Sequence, residues 1–68
     1  RETGADAMQG MTAKVINWEN EQGQVLVRGE IWTARTADGQ SLEPGTDVKI
    51  ENLQGLICIV YPLTKNQD

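Results

Sequence analysis

Few residues in this chain belong to the types that carry out catalysis or hold metals. The sequence has no histidine and a single cysteine, Cys58, beside ten acidic side chains. Acid–base catalysis needs one group that donates a proton and another that accepts it. The neighbouring carboxylates that could fill these roles are Glu19 with Glu21 and Asp47 with Glu51. They fall on a predicted turn and on a polar strand face, where carboxylates usually serve solubility.

Cys58 lies in an apolar run in which alternation places its side chain on the inner face of a predicted strand. A buried thiol is more often a small core group than a nucleophile. One thiol without histidine cannot assemble a zinc site of ordinary ligand composition, nor an internal disulfide. Phosphate-cradling glycine loops and nucleophile-elbow motifs are also missing. We therefore predict no enzyme activity, no metal, no cofactor and no small-molecule substrate.

The length and charge of the chain favour a small soluble β-barrel. A domain of 68 residues buries only ~60% of the surface that its unfolded chain exposes, so a closed barrel without free strand edges is a suitable architecture. The net charge is −4 and the six basic residues are scattered, which disfavours non-specific binding to nucleic acid. No apolar run approaches the ~20 residues of a membrane span. The first residue is Arg1, and we expect the chain to be a fragment of a longer protein.

The stretch VLVRGEIWTA, residues 25–34, predicts a β-hairpin. Its apolar residues would point to both faces of a single strand. A two-residue turn at Arg28-Gly29 instead pairs residue 27 with 30, 26 with 31 and 25 with 32, because Gly29 can supply the positive φ that such turns need. Directly opposed residues share a face, so the hairpin has one core face and one outer apolar pair. The core face consists of Val25, Val27, Trp32 and Ala34, and the outer pair is Leu26 with Ile31.

Three further strands complete the predicted domain. Residues 11–18 are β-compatible, with Ala13 and Val15 on one face, and are followed by a polar, turn-prone stretch over 19–23 that includes Gly23. A helix over 11–20 remains an alternative. A polar loop over 36–46 precedes a strand in which Val48 and Ile50 point inward, and the last strand, 56–62, is apolar on both faces. Leu56, Cys58 and Val60 share its predicted inner face. Five short strands favour an all-β fold, a small five-stranded OB-fold-like barrel over 10–63, with a linker over 1–9 and a polar tail over 64–68.

The outer faces of these strands carry an apolar set that a lone soluble barrel would expose. Its members are Leu26, Ile31, Ile57, Ile59 and Tyr61. Single exposed apolar residues are ordinary, whereas contiguous ones indicate an interaction surface. Three explanations remain open at this point. The set docks against another surface, which is a partner protein or the rest of the same protein. Alternatively, the N-terminal segment with Met8 and Met11 folds back over it, or a small barrel simply tolerates the exposure.

Single-stranded nucleic acid is the alternative ligand, because OB-fold domains bind it with aromatic platforms beside a basic groove. The aromatic residues here are Trp18, Trp32 and Tyr61. The predicted core needs Trp32, and the other two have no basic groove around them. Binding of nucleic acid is therefore unlikely from the sequence.

A series of glycine, tryptophan and aliphatic positions resembles the C-terminal soluble domain of NfeD-like proteins. The matching residues, in chain order, are Thr3, Gly4, Gly10, Gly23, Val25, Val27, Gly29, Glu30, Trp32, Ala34, Leu42, Gly45, Val48, Ile50, Gly55, Leu56, Cys58, Val60 and Pro62. Two positions depart from the family pattern. Arg28 replaces the usual Asn or Asp before the turn glycine, and Cys58 replaces a larger aliphatic residue, which suggests different packing at one end of the barrel.

The resemblance implies a non-enzymatic OB-fold domain carried by a short membrane protein whose hydrophobic helices lie outside this fragment. Such proteins are paired with stomatin-, prohibitin- and flotillin-like (SPFH) partners in membrane organisation or membrane protein quality control. Some longer relatives carry a serine protease domain, of which this sequence contains nothing. The resemblance brings no catalytic residue, and it implies a soluble domain on the cytoplasmic side of a membrane-anchored protein.

Overall fold

The structure is a computed structural model that describes residues 8–63. The predicted tail over 64–68 and all of the predicted linker except Met8 and Gln9 lie outside these residues. Five strands follow one another without an intervening helix, so the helical alternative for 11–20 is wrong. The strands are β1 (Thr12–Glu19), β2 (Gln22–Val27), β3 (Glu30–Thr36), β4 (Asp47–Gln54) and β5 (Ile57–Pro62).

The five strands close into a barrel in the order β1-β2-β3-β5-β4, with β4 pairing back to β1. Every pairing is antiparallel except that of β3 with β5. β3 and β5 run parallel because the chain reverses direction twice between them, first through the long 37–46 connection into β4 and then through the turn into β5. The predicted all-β, five-stranded barrel is confirmed, and closure gives each of the five strands a partner on both sides.

The β2–β3 hairpin has the predicted register. Val27 pairs with Glu30, Leu26 with Ile31 and Val25 with Trp32. Both turn residues have positive φ, 53° at Arg28 and 83° at Gly29, as a type I′ turn requires. Val25, Val27 and Ala34 are buried, whereas Trp32 is partly buried and packs against the core from one end.

The barrel interior is filled mainly by β-branched residues, to which β3 adds Ala34. Val15, Val25, Val48, Ile50 and Val60 are fully buried, and each such side chain contributes roughly 1.5–3 kcal/mol by leaving water. Two further core side chains come from outside the strands. These are Met8, in the segment assigned to a linker, and Leu42, in the 37–46 loop. The N-terminal segment and the long loop therefore both contribute to the packing of the barrel.

Two positions differ from their predicted places because the turns are tighter than expected. Gly23, predicted in the β1–β2 turn, lies in β2 opposite Trp18, because Asn20 takes a positive φ of 61° and Glu19 already pairs with Gln22. Leu56, predicted on the inner face of β5, is the second residue of the β4–β5 turn, because Gln54 pairs with Ile57. Its side chain is 80% exposed.

The strand directions bring three features to one end of the barrel. The β2–β3 turn at residues 28–29 and the β4–β5 turn at residues 55–56 lie at the end where β1 begins. The chain enters there as well, since the Gly10 N–H donates to the Ile50 carbonyl of β4 at 2.8 Å. We call this the entry end. The chain leaves β5 at the opposite end, where the Leu63 N–H donates to the Asp47 carbonyl.

Candidate interaction surface

The five residues predicted to form an outer apolar surface fall into different environments. Leu26, Ile31 and Tyr61 are 43%, 60% and 43% exposed, and Ile57 is half-buried. Ile59 is 8% exposed, so the expectation that it is available to a partner is wrong. The predicted set is therefore divided, with Leu26, Ile31 and Ile57 towards the entry end and Tyr61 towards the opposite end of β5.

The burial of Ile59 coincides with an irregular strand pairing. Ile59 lies outside the main cluster of core side chains. It pairs with Arg35 on β3 and with Asn52 on β4, where the register of β4 shifts after Ile50. A β-bulge changes which residue lies opposite and so breaks the simple alternation of faces. The sequence alternation gave no sign of that shift.

Leu56 supplies the apolar surface that the sequence analysis missed. It lines a shallow depression together with Glu30, Ile31, Trp32 and Thr33, while Ile57 pairs with Thr33. We define the apolar patch as Leu26, Ile31, Leu56 and Ile57. A sequence signal for it existed, because a two-residue turn that starts at Gly55 must place Leu56 in the turn rather than in the strand.

The N-terminal methionines do not cover this patch. Met8 belongs to the barrel core, and Met11 is partly buried against it. On its other side the patch is bounded by Lys14, which pairs with Leu26 and forms an ion pair with Asp47 (Nζ to Oδ1, 3.0 Å). An ion pair of such exposed groups contributes at most ~1 kcal/mol. Among the described residues, therefore, none of the methionines covers the patch, and Lys14 gives it a charged border.

A polar groove lies at the end opposite the patch, between the β1–β2 turn and the loop after β3. Its lining residues are Asn17, Glu19, Asn20, Glu21, Gln22, Gly23, Gln24, Thr33, Arg35, Gly39 and Ser41. Hydrogen bonds hold the groove in shape, from Asn17 Nδ2 to Gln24 Oε1 and from the Ser41 hydroxyl to the Asn20 carbonyl. Arg35 is the single cation in this lining, beside two carboxylates, which disfavours a nucleic-acid backbone.

Trp18 is not available as a stacking platform for a base. Its ring packs against the barrel core and over Gly23. The ring and the Asn17 carbonyl leave no space for a side chain at position 23. The indole Nε1–H is buried and has no hydrogen-bond partner within residues 8–63. The aromatic residue that remains exposed, Tyr61, pairs with Lys49 at another part of the barrel. The structure therefore favours an apolar interaction surface over a nucleic-acid site.

The candidates for chemistry are dispersed in the structure. Cys58 is fully buried, and burial raises the pKa of its thiol, which disfavours the reactive thiolate. No three side chains of the His, Cys, Asp or Glu types come together as metal ligands in the described part of the chain. A helix long and apolar enough to cross a membrane is likewise not found between residues 8 and 63.

These features describe a small closed barrel with an exposed apolar patch, and comparison with known proteins assigns it to a family. The family model described as the NfeD-like C-terminal, partner-binding domain matches residues 5–62. The chain belongs to this family. It is 36% identical over 58 residues to a membrane-bound protease of Pyrococcus horikoshii, a match that covers 85% of this chain but 13% of that protein.

Two solved structures share the architecture. The C-terminal domain of a stomatin operon partner protein from Pyrococcus horikoshii superposes with a TM-score of 0.85 at 34% identity, over 94% of this chain and 100% of that domain. The soluble domain of a Corynebacterium glutamicum membrane protein implicated in regulation of membrane protease activity gives a TM-score of 0.78 at 32% identity, over 84% and 94%. Both solved domains therefore share the fold of this chain, in agreement with the family assignment.

Proposed function

We propose that this chain is a non-enzymatic docking domain of a membrane-anchored protein, and that it binds an SPFH-type, stomatin-like partner on the cytoplasmic side. The observation that carries the proposal is the apolar patch, since Ile31 and Leu56 are 60% and 80% exposed in an otherwise closed barrel. The description of the family as partner-binding supports it. The stomatin operon partner domain that this chain resembles indicates the kind of partner.

The position of the patch fits attachment to a membrane. The patch lies at the entry end, where residues 10–11 join the barrel through hydrogen bonds with Ile50. In a membrane-anchored protein whose membrane segment precedes this domain, residues 10–11 would join the barrel at the end that carries the patch. A partner bound there would be held between the barrel and that preceding segment, close to the membrane.

The proposal is tested by changing Ile31 and Leu56 together to serine and measuring binding to a stomatin-type protein from the same genome by titration calorimetry. Both side chains are exposed, so the fold should be kept. Because a few central apolar residues supply most of the energy of an interface, we expect affinity to fall at least about tenfold, which corresponds to ~1.4 kcal/mol.

The matched control is the double change Ile16→Ser and Tyr61→Ser. These side chains are also exposed, 38% and 43%, but they lie outside the patch. We expect the control to bind like the unchanged chain. Equal losses in the two double variants, or unchanged binding of the Ile31 and Leu56 variant, would contradict the assignment of the surface.

A further inference from the structure

The depression within the patch combines apolar walls with one carboxylate. It is lined by Glu30, Ile31, Trp32, Thr33 and Leu56. Ile31 and Leu56 are largely exposed, and Trp32 is partly buried against the core. Glu30 is exposed and lines the same depression, so a partner side chain that fills the depression also displaces water around Glu30.

The Glu30 carboxylate is not engaged by the residues that the structure describes. The ion pair among residues 8–63 joins Lys14 and Asp47, and Glu30 makes no ion pair or side-chain hydrogen bond with any described residue. Removing water from an unpaired carboxylate is costly unless the partner supplies a cation. The depression therefore selects for positive charge as well as for apolar surface.

A basic side chain meets both requirements. The methylene stems of lysine and arginine pack along apolar surfaces while their charged ends reach a carboxylate, and a guanidinium can also stack on an indole. The net charge of −4 attracts a basic partner over longer distances. The same acidity disfavours an anionic lipid surface, and a second copy of this chain offers no surplus of positive charge.

We propose that the depression between Ile31 and Leu56 is a socket for a partner segment in which a lysine or arginine lies beside a large apolar side chain, with Glu30 binding the cation. This inference rests on the proposed function, because it specifies the chemistry of the partner at the same patch. It assigns to Glu30, which the sequence analysis treated only as part of the hairpin, a role in selecting that partner.

The first test uses the stomatin-type partner and the variant Glu30→Gln, which keeps the shape of the side chain and removes its charge. We expect binding to weaken about five- to tenfold, since a charge-assisted hydrogen bond becomes a neutral one. The dependence of affinity on salt should also become weaker. Glu19→Gln makes the same change in net charge at the opposite end of the barrel and should leave binding unchanged.

The second test does not depend on the identity of the partner. Capped peptides that carry Leu-Arg-Leu or Leu-Glu-Leu between glycine–serine flanks are titrated into the labelled chain, and amide shifts are followed by NMR. We expect the arginine peptide, and not the glutamate peptide, to shift the amides of residues 30–33 and 56. In the Glu30→Gln variant these shifts should diminish.

The outcomes separate the socket from the broader proposal. If the Ile31 and Leu56 variant loses the partner while Glu30→Gln binds like the unchanged chain, docking at the patch stands and the socket is overturned. If no stomatin-type protein binds but the arginine peptide does, the choice of partner fails and the socket stands. Shifts caused equally by both peptides, by phosphatidylserine vesicles or by raising the concentration of the chain alone overturn the socket.

Discussion

Gly23 shows how one residue determines the position of an aromatic side chain. A Cβ added at this position would meet the Asn17 carbonyl and the Trp18 ring, and would lie 2.8 Å from the Trp18 Cα. The Trp18 ring can cover the β1–β2 end of the barrel only because Gly23 has no side chain. Its conformation is not the reason, since Gly23 does not have the positive φ found at the turn glycines.

We expect Gly23→Ala to destabilise the domain by about 3 kcal/mol, at the upper end of the range for overpacking, because backbone atoms must move to make room. The control is Gly29→Ala, which meets no atom within 4 Å but has a φ of 83°, and should cost ~1 kcal/mol through strain alone. Urea denaturation followed by tryptophan fluorescence compares the two. A cost at Gly23 no larger than at Gly29 would contradict this account.

For single residues, the sequence predicts well which side chains point into the barrel. It predicts poorly which residues of neighbouring strands touch each other. Val25, Val27 and Ala34 are buried as predicted. Once the turn of the hairpin is known, the period-two alternation of apolar residues is compatible with a single strand register. Gly23 was predicted in a turn because glycine is common there, and nothing in the sequence relates it to Trp18 on the neighbouring strand. Contacts between strands depend on register, which a single strand does not encode.

The β2–β3 hairpin is the element with the most specific local signal. Its register is the predicted one although Arg28, at a φ of 53°, occupies a position that favours Asn, Asp or Gly. The alternation on both sides of the turn and the positive φ available at Gly29 are sufficient to fix the register. Arg28 therefore carries a strain that a better turn residue would relieve.

We expect Arg28→Asn to stabilise the domain by about 0.5–1 kcal/mol, the usual gain from improving a turn. Asparagine tolerates the left-handed conformation, whereas alanine does not, so Arg28→Ala serves as the control without a gain. Chemical denaturation of the three chains measures the difference. The hairpin account is contradicted if the asparagine variant is no more stable than the alanine variant.

The irregular strands are where prediction from the sequence fails. The register of β1 shifts between Val15 and Asn17, and that of β4 shifts between Ile50 and Asn52. The first shift leaves Ile16 at the surface, and the second lies beside the covered Ile59. Bulges have no strong local sequence signal, since they serve the curvature of the closed barrel. The predicted exposure is therefore observed for Leu26 and Ile31 in the hairpin and not for Ile59 at the centre of β5.

The barrel as a whole unfolds in one step if the usual behaviour of small domains applies, and Cys58 can report on it. Cys58 is fully buried between Ala34 on β3 and Leu53 on β4, its partners in the register. Because burial raises the pKa of this thiol in the folded chain, the unfolded chain releases its proton first as the pH rises. Stability should then fall at alkaline pH.

We expect the free energy of unfolding to decrease above about pH 8.5, where unfolded thiols ionise, by up to ~1.4 kcal/mol per pH unit until the folded thiol also ionises. Below that pH the thiol is protonated in both states and has no such effect. Urea denaturation between pH 7 and pH 10 tests this, with Cys58→Ala as the control. Parallel curves for the two chains would show that Cys58 does not contribute.

The entry end has a practical consequence for anyone who attaches a reporter to this domain. A fluorescent protein or affinity handle joined closely ahead of Met8 would be attached at the end of the barrel that carries Leu56 and Ile31, and could mask binding without any damage to the barrel. The same reporter joined beyond Leu63 would extend from the opposite pole. A loss of binding that occurs with one placement and not with the other would therefore be caused by the reporter and not by a defect of the domain.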